Sequence, residues 1–350
     1  TACLRGTAFV QRTGVTMSNI LWLSEQDVLA TGICEIAESV ELVEKVLRLF
    51  EQKQALIVEE SAMRLNGDGL DQACYCLPAY VGGEFHVCGV KWTSHGHALK
   101  DEDEGKSRIQ AAIVINDASG GKPICMMNGT AIGAARTGAV TAAALRRLAP
   151  EYAKKAALLG AGGQAEHQLQ ALLYACPELS EIAVWSRGGE KNQRLVARYQ
   201  PKTETLLTAA KTLDVAAEGA DIIIAATSAP EPYLEPQHLE AASVYCHIGF
   251  HEITHAAIER FSDIVVDTWQ EAKDVSGQSL FRYYREGLVG LERISSTLGA
   301  LLLGTKTIPR ASRDHKVMFD AFGLPIFDIS FAKIACERAK KLQLGTNVAW

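Results

Sequence analysis

The chain has 350 residues, 48% of them hydrophobic, and a formal net charge of −6 at pH 7. That length allows two domains of ordinary size, each with its own core. A mildly acidic chain without a Lys/Arg run argues against nucleic acid or an anionic membrane as the main partner, and no apolar stretch is long enough to cross a bilayer. We therefore expect a globular protein whose partner is a small molecule.

The first segment, residues 1–16, lacks the apolar core of a secretory signal, and Met17 opens a sequence typical of a natural start. We expect residues 1–16 to be a leader or an expression remnant. The nine cysteines are scattered and include no CxxC pair. We expect them to be buried free thiols in a reducing cytoplasm rather than zinc ligands.

Residues 17 to about 130 predict an α+β domain. The spacing of apolar residues predicts a helix from Asp27 to Gln54. Short β-like runs follow between turn clusters at 74–77, 86–92 and 111–115. An alanine-rich linking helix over 132–148 comes next and ends before Pro150.

After Pro150 the pattern alternates between strand and helix, which is typical of a Rossmann-type doubly wound parallel sheet. Strands are expected near 156–159, 182–185, 222–226, 243–248 and 263–266. A final helix from Phe327 to Leu344 is expected to pack on the first domain. The sequence thus predicts an α/β protein with a dinucleotide-binding domain at 131–315 and an α+β domain built from 17–130 and about 316–350.

The loop after the first of these strands carries the strongest functional signal, a G-x-G-x-x-A pattern followed by a helix-period run. Gly160 permits a tight turn, Gly162 lets the backbone approach a pyrophosphate, and Ala165 lets the helix pack on the strand. Gly163 and Gln164 lead into that helix, whose N-terminus would face the phosphates. The alternative is a glycine-rich turn that binds nothing.

The acid that would hold an adenosine ribose at the end of the second strand is absent. Ser186 and Arg187 stand there instead, and a hydroxyl beside a guanidinium suits a 2′-phosphate better than a 2′-hydroxyl. The predicted cofactor is therefore NADP, with NAD as the alternative. Arg187 could instead be a solvated loop charge, with Glu190 close enough to take the ribose.

Three cations stand where a carboxylate substrate would need them: Arg64 after the first helix, Lys91 on an apolar strand and Arg136 inside an apolar helix. Buried Lys and Arg require an anion. That anion could be the substrate, or an internal acid in a salt bridge.

His251, Glu252 and His255 match HExxH, which on a helix would present two imidazoles to zinc with the Glu as base. The motif directly follows an apolar strand, so we expect a strand-to-helix turn and no metal. A zinc hydrolase is the alternative.

Together these pieces resemble the ornithine cyclodeaminase/mu-crystallin family, over nearly the whole chain from about residue 20. The matching segments are Gly89 to Trp92, Ala135 to Thr141, Leu159 to Ala165, Ala226 to Ser228, Asp263 to Asp267 and Gly323 to Asp328. The resemblance implies a homodimer whose first domain and C-terminal tail build the substrate site and the dimer contact. It also implies that Arg64, Lys91 and Arg136 bind the substrate carboxylate, with Thr137 and Thr227 near the cofactor.

Within that family the chain is most similar to the opine-type dehydrogenases that process N-(2-amino-2-carboxyethyl)-glutamate. Counting back from Asp267 places His247 where the cyclodeaminases carry a catalytic aspartate, so we expect Lys91 and His247 to be catalytic, with His247 transferring a proton near neutral pH. The expected activity is NAD(P)-dependent hydride transfer at the α-carbon of an amino acid or opine. A cyclodeaminase-like lyase and a non-catalytic crystallin-type binder are the alternatives.

Overall fold

A computed structural model describes residues 19–58, 61–64, 73–95 and 109–350 of the chain. The segment 1–16, expected to be a leader or remnant, lies outside the described residues. The described chain forms two eight-stranded sheets, called here the first and the second sheet.

The elements up to the linking helix are β1 (Asn19–Leu23), α1 (Glu25–Ala30), α2 (Ile36–Glu51), β2 (Ala55–Ile57), β3 (Ser61–Arg64), β4 (Ala73–Val81), β5 (Val87–His95), β6 (Ile109–Asp117), β7 (Pro123–Asn128) and α3 (Thr130–Leu148). Those that follow are β8 (Lys155–Leu159), α4 (Ala165–Ala175), β9 (Glu181–Trp185), α5 (Glu190–Tyr199), β10 (Leu206–Ala209), α6 (Leu213–Ala217), β11 (Ile222–Ala225), β12 (Val244–His247), α7 (His255–Ile258), β13 (Asp263–Val266), α8 (Ser279–Arg285), β14 (Ile294–Thr297), α9 (Leu298–Leu303), β15 (Val317–Asp320), α10 (Pro325–Leu342) and β16 (Thr346–Ala349).

The second sheet is parallel throughout and has the order β10-β9-β8-β11-β12-β15-β13-β14. The chain winds outward from β8 through β9 to β10, and then runs in the other direction from β11. The carboxyl ends of β8 and β11 therefore form the switch point at which such sheets bind ligands. The predicted Rossmann-type fold is confirmed, and β11 and β12 are buried along their whole length, as parallel strands covered on both faces are.

The first sheet has the order β16-β1-β7-β6-β5-β4-β2, with β3 also paired to β4. Helices α3 and α10 pack on one of its faces. The opposite face presents Trp22 and Trp92, which are 39% and 45% exposed. No helix in the described part of the chain is long and apolar enough to span a membrane.

Three sequence predictions need correction. The single helix expected over 27–54 is two helices, because the chain turns at residues 31–34, where Gly32 has a φ of +75°. The final helix is Pro325–Leu342 rather than 327–344. Several short strands were missed, and one of them, β15, lies inside the second sheet between β12 and β13. The second sheet therefore extends past the boundary predicted near residue 316.

The linking helix α3 packs closely on α4. A Cβ atom added at Gly138 would lie 2.6 Å from the carbonyl oxygen of His167 and 2.9 Å from its carbonyl carbon. Backbone atoms cannot move away as the end of a flexible side chain can, so this contact requires glycine. It holds α3 against the helix that follows the glycine loop.

We predict that Gly138→Ala destabilises the protein by about 1–3 kcal/mol, because the added methyl group overpacks this contact. Gly133→Ala is the matched control in the same helix, since its nearest neighbour is an Asp328 oxygen at 3.8 Å. The control should be neutral or stabilising by about 0.5–1 kcal/mol. Urea unfolding of both variants measures the difference, and equal effects would show that the helices are not in close contact.

Candidate active site

The glycine loop at the carboxyl end of β8 has the shape that a dinucleotide phosphate requires. Gly160 has a φ of +115°, and a Cβ there would lie 2.4 Å from the oxygen of Ala226, so only glycine fits. A Cβ at Gly162 would have no described atom within 4 Å. Gln164 precedes α4, and no described residue hydrogen-bonds its buried Oε1 atom. Open backbone before a helix N-terminus suits an anion.

Ser186 and Arg187 follow β9, whose end is tied to the glycine loop by a 2.7 Å hydrogen bond from the Gly160 N–H to the Trp185 oxygen. Arg187 is exposed and has no ion-pair partner among the described residues. The Ser186 hydroxyl donates to Asn192 Oδ1 at 2.5 Å. The Ser186 hydroxyl thus faces the buried Asn192, a partner that sequence analysis missed. The place of Ser186 at the cofactor ribose stays a prediction.

Lys91 and Arg136 both contact the carboxylate of Asp328, a residue to which sequence analysis assigned no role of its own. Lys91 Nζ lies 2.8 Å from Asp328 Oδ2, and Arg136 Nε lies 3.6 Å from Asp328 Oδ1. The Asp328 side chain is fully buried, and those of Lys91 and Arg136 are nearly so. The internal salt bridge that the sequence left open is thus present. Asp328 stands alone in an apolar run, which is the signal that also identified the two cations.

The guanidinium of Arg136 uses only one edge on this acid. Its nearest carboxylate contact is the one from Nε, while Nη1 lies against Gly323, where a Cβ would be 2.8 Å away. Gly323 has a φ of +95°, a backbone conformation that favours glycine. Arg64 ends β3, but its side chain lies outside the described residues.

His247 is enclosed between two carboxylates. Its Nδ1 lies 2.6 Å from Asp320 Oδ2, and its Nε2 lies 2.8 Å from Glu252 Oε2. All three side chains are fully buried. Glu252 Oε1 in turn accepts from the N–H of Thr227 at 2.7 Å and from its hydroxyl at 2.9 Å. The network thus ends at Thr227, which is partly exposed at the carboxyl end of β11.

The surroundings of His247 differ from those expected of a residue that titrates near neutral pH. Burial alone would lower the pKa of His247, but the charges and hydrogen bonds of Asp320 and Glu252 raise that pKa to about 10. Burial raises the pKa of Asp320, and His247 offsets part of that rise. Through Glu252, His247 is connected to Thr227. Its direct role in proton transfer stays a prediction.

The HExxH residues point to three different partners. His251 contacts the Ser279 hydroxyl at 3.0 Å, Glu252 holds Thr227, and His255 Nε2 contacts a backbone carbonyl at 3.0 Å. Helix α7 begins only at His255, as the predicted strand-to-helix turn requires. The described residues contain no group of three or more His, Cys, Asp or Glu side chains that could hold a metal ion. The absence of a metal stays a prediction.

The two threonines expected near the cofactor lie on different elements. Thr137 is next to Arg136 on α3, and its hydroxyl donates to the Gly133 oxygen one turn earlier at 2.8 Å. Thr227 lies in the loop after β11, beside the glycine loop. Arg136 and the glycine loop are connected through α3 and its contact with α4.

Comparison with known proteins agrees with this geometry. The model of the family described as ornithine cyclodeaminase/mu-crystallin matches residues 26–343. An N-((2S)-2-amino-2-carboxyethyl)-L-glutamate dehydrogenase from Staphylococcus aureus is 26% identical, covering 78% of this chain and 80% of its own. A Delta(1)-pyrroline-2-carboxylate reductase from Bacillus cereus is 27% identical, covering 70% and 75%. The solved reductase of that name from Thermococcus litoralis, in complex with NADH and L-proline, superposes with a TM-score of 0.85 at 25% identity, over 94% of this chain and 100% of that one.

We predict that the stability gained from His247 falls as pH rises. The pKa of His247 is near 6.5 in the unfolded chain and about 10 in the folded protein. The contribution of His247 to the free energy of unfolding is therefore complete below pH 6.5 and is lost as the pH rises through 10. Asp320→Asn should lower the free energy of unfolding by about 1–3 kcal/mol at pH 7, the scale of a hydrogen bond to a charged group. The difference in this free energy between the variant and wild type should become smaller toward pH 10.

Urea unfolding at several pH values from 7 to 10 measures this gap. Asp263→Asn is the matched control, because Asp263 pairs with His315 at 2.8 Å but both side chains are partly exposed. The control should cost less than about 1 kcal/mol. An Asp320→Asn gap that stays constant with pH would contradict a protonated His247.

Proposed function

The chain belongs to the ornithine cyclodeaminase/mu-crystallin family, and we propose that it is an NAD(P)-dependent oxidoreductase acting on the carbon–nitrogen bond of an amino acid or N-substituted amino acid. A bound nicotinamide dinucleotide supplies or accepts the hydride at the substrate α-carbon. The chain's own residues bind the substrate carboxylate, hold the cofactor at the carboxyl end of the second sheet and exclude water. The proposed site lies between the glycine loop and the two cations, Lys91 on β5 and Arg136 on α3.

The free edge of the Arg136 guanidinium is the observation that carries this proposal. Asp328 lies 3.6 Å from Nε. Neither terminal nitrogen of Arg136 has a closer contact than this with a described carboxylate. Two parallel N–H donors are the geometry that binds a carboxylate in bidentate fashion. Lys91, held by the same Asp328, presents an ammonium beside it. A substrate α-carboxylate bound by Arg136 and Lys91 would direct its α-carbon and nitrogen toward the dinucleotide at the glycine loop.

The names of the relatives support this class of substrate. The Staphylococcus aureus dehydrogenase and the Bacillus cereus reductase are named for compounds that carry a carboxylate next to a carbon–nitrogen bond. In the reductive direction, hydride adds to the α-carbon, the C=N electron pair moves to nitrogen, and nitrogen takes a proton. Arg64, whose strand β3 pairs with β4 next to β5, is proposed to bind a second carboxylate.

The cofactor residues we propose are Gly160, Gly162, Gly163 and Gln164 for the phosphates, Thr137 and Thr227 near the nicotinamide, and Ser186 and Arg187 at the adenosine ribose. The exposed Arg187, without a described ion-pair partner, supports NADP because a guanidinium favours a 2′-phosphate. The eight described cysteines are free, three of them buried, which supports a reducing cytoplasm as the location.

We also propose a homodimer formed through the uncovered face of the first sheet. Alternate residues of β5 on that face are Cys88, Val90 and Trp92, and a groove there is lined by both Trp22 and Trp92. Exposed aromatic residues in a contiguous apolar patch mark protein interfaces.

The activity is tested by following absorbance of NADH and NADPH with Delta(1)-pyrroline-2-carboxylate and with mixtures of 2-oxo acids and amines. Oxidation of the cofactor that depends on the imine supports the proposal. Cofactor binding without turnover of any imine or amino acid would favour a crystallin-type binder, and conversion of ornithine to proline without net cofactor consumption would favour a cyclodeaminase.

We predict that Lys91→Met lowers turnover by about a hundredfold or more, because the substrate carboxylate loses one of its two cations and its orientation. Cofactor affinity should stay near that of wild type. Lys122→Met, at an exposed turn residue of the first sheet, is the matched control and should leave both unchanged. Full turnover in Lys91→Met with the best substrate would make Lys91 purely structural.

We predict that Trp92→Glu converts the dimer to a monomer, because it places a charge in the apolar interface. Sedimentation velocity measures the change. Leu288→Glu, which alters a residue of similar exposure outside both sheets, should remain dimeric. A wild-type monomer, or a dimeric Trp92→Glu variant, would rule out this interface.

A further inference from the structure

Asn192 has no role in the proposed chemistry, yet it is completely buried behind the expected ribose site. It lies in the first turn of α5, and its own N–H donates to the Gly189 oxygen at 3.1 Å. Gly189 has a φ of +71°, which lets the chain turn from Ser186 back into the helix. The fold thus directs the Asn192 side chain at the residue that follows β9.

The contact between Ser186 and Asn192 fixes the position of a proton. A serine hydroxyl has one proton to donate, and here Ser186 Oγ donates it to Asn192 Oδ1, with 2.5 Å between the two oxygens. Asn192 Nδ2 is buried and has no hydrogen-bond partner among the described residues. The amide therefore presents its acceptor to Ser186, and Ser186 presents only lone pairs toward a ligand.

We propose that Asn192 determines cofactor selectivity by holding Ser186 as a hydrogen-bond acceptor. This inference rests on the proposed function, since it requires a dinucleotide along the glycine loop. A ribose 2′-hydroxyl can donate to the lone pairs of Ser186, whereas a 2′-phosphate has only acceptor oxygens and gains nothing there. The Ser186–Asn192 pair therefore favours binding of NADH. The charge of Arg187 has the opposite effect, because it favours NADPH.

The test measures dissociation constants of NADH and NADPH for wild type and variants by isothermal titration calorimetry, without any turnover. Asn192→Leu has similar volume but no acceptor, so the Ser186 proton becomes available to a phosphate. The ratio of the NADH to the NADPH dissociation constant should rise about tenfold to a hundredfold, the range of one hydrogen bond to a charged group. Arg187→Ala should move the same ratio in the opposite direction.

A double-mutant cycle separates this role from a merely structural one. In a Ser186→Ala background, Asn192→Leu should leave the ratio unchanged, because no hydroxyl remains to be oriented. Gln193→Ala, at the exposed next position of α5, is the matched control and should not change the ratio. A ratio that Asn192→Leu leaves unchanged in the presence of Ser186, or changes equally in its absence, would overturn the inference alone. Failure of the wild-type protein to bind either dinucleotide would overturn the proposed function with it.

Discussion

Burying a carboxylate is costly unless a cation or several donors compensate for it, and the stretch from 317 to 328 buries two. Asp320 ends β15 against His247, and Asp328 lies in the first turn of α10 against Lys91. Between them the N–H groups of Phe322 and Gly323 donate to Asp267 at 3.0 and 2.8 Å. This stretch crosses from the second sheet to the helix that covers the first. Its polar contacts fix the end of the second sheet and the pair of Lys91 and Arg136 relative to each other.

Helix α3 also connects the two sheets, through its contacts with α10 and α4. Arg136 faces Gly323 and Asp328, while Gly138, two residues on, packs against the backbone of α4. Because both contacts are close, a shift of α4 or of α10 would displace the guanidinium. The proposed carboxylate site is therefore built on helices and a strand rather than on a loop, which suits a site that must orient an α-carbon.

Much of the fold could be predicted because its signals are local. The apolar strands of the second sheet, the glycine loop and the alanine-rich α3 each follow from a periodicity or a turn residue. The four-residue strand β15 could not be placed, since a short apolar run does not show which strands it will join. Lys91 and Arg136 were found because a charge in an apolar segment needs a partner. The same rule applied to acids would have identified Asp320 and Asp328.

The role of His247 could not be derived from position alone, because its pKa depends on two carboxylates, one 73 residues away in sequence. The spacing of Glu252 suggested zinc chemistry only as the alternative interpretation, and no sequence signal indicated that the fold uses this residue to hold Thr227. Asn192 gave no signal, since one amide in a polar helix is ordinary. Residues whose function comes from a long-range contact are those that sequence patterns miss.

The most direct measurement is a crystal structure of the wild-type protein with a reduced nicotinamide dinucleotide and its best amino acid substrate. We expect the pyrophosphate along Gly160 to Gln164, and the substrate carboxylate within hydrogen-bonding distance of the Arg136 terminal nitrogens and Lys91 Nζ, with Asp328 still paired to Lys91. A dinucleotide bound elsewhere, or a carboxylate held away from Arg136 and Lys91, would contradict this assignment of the site.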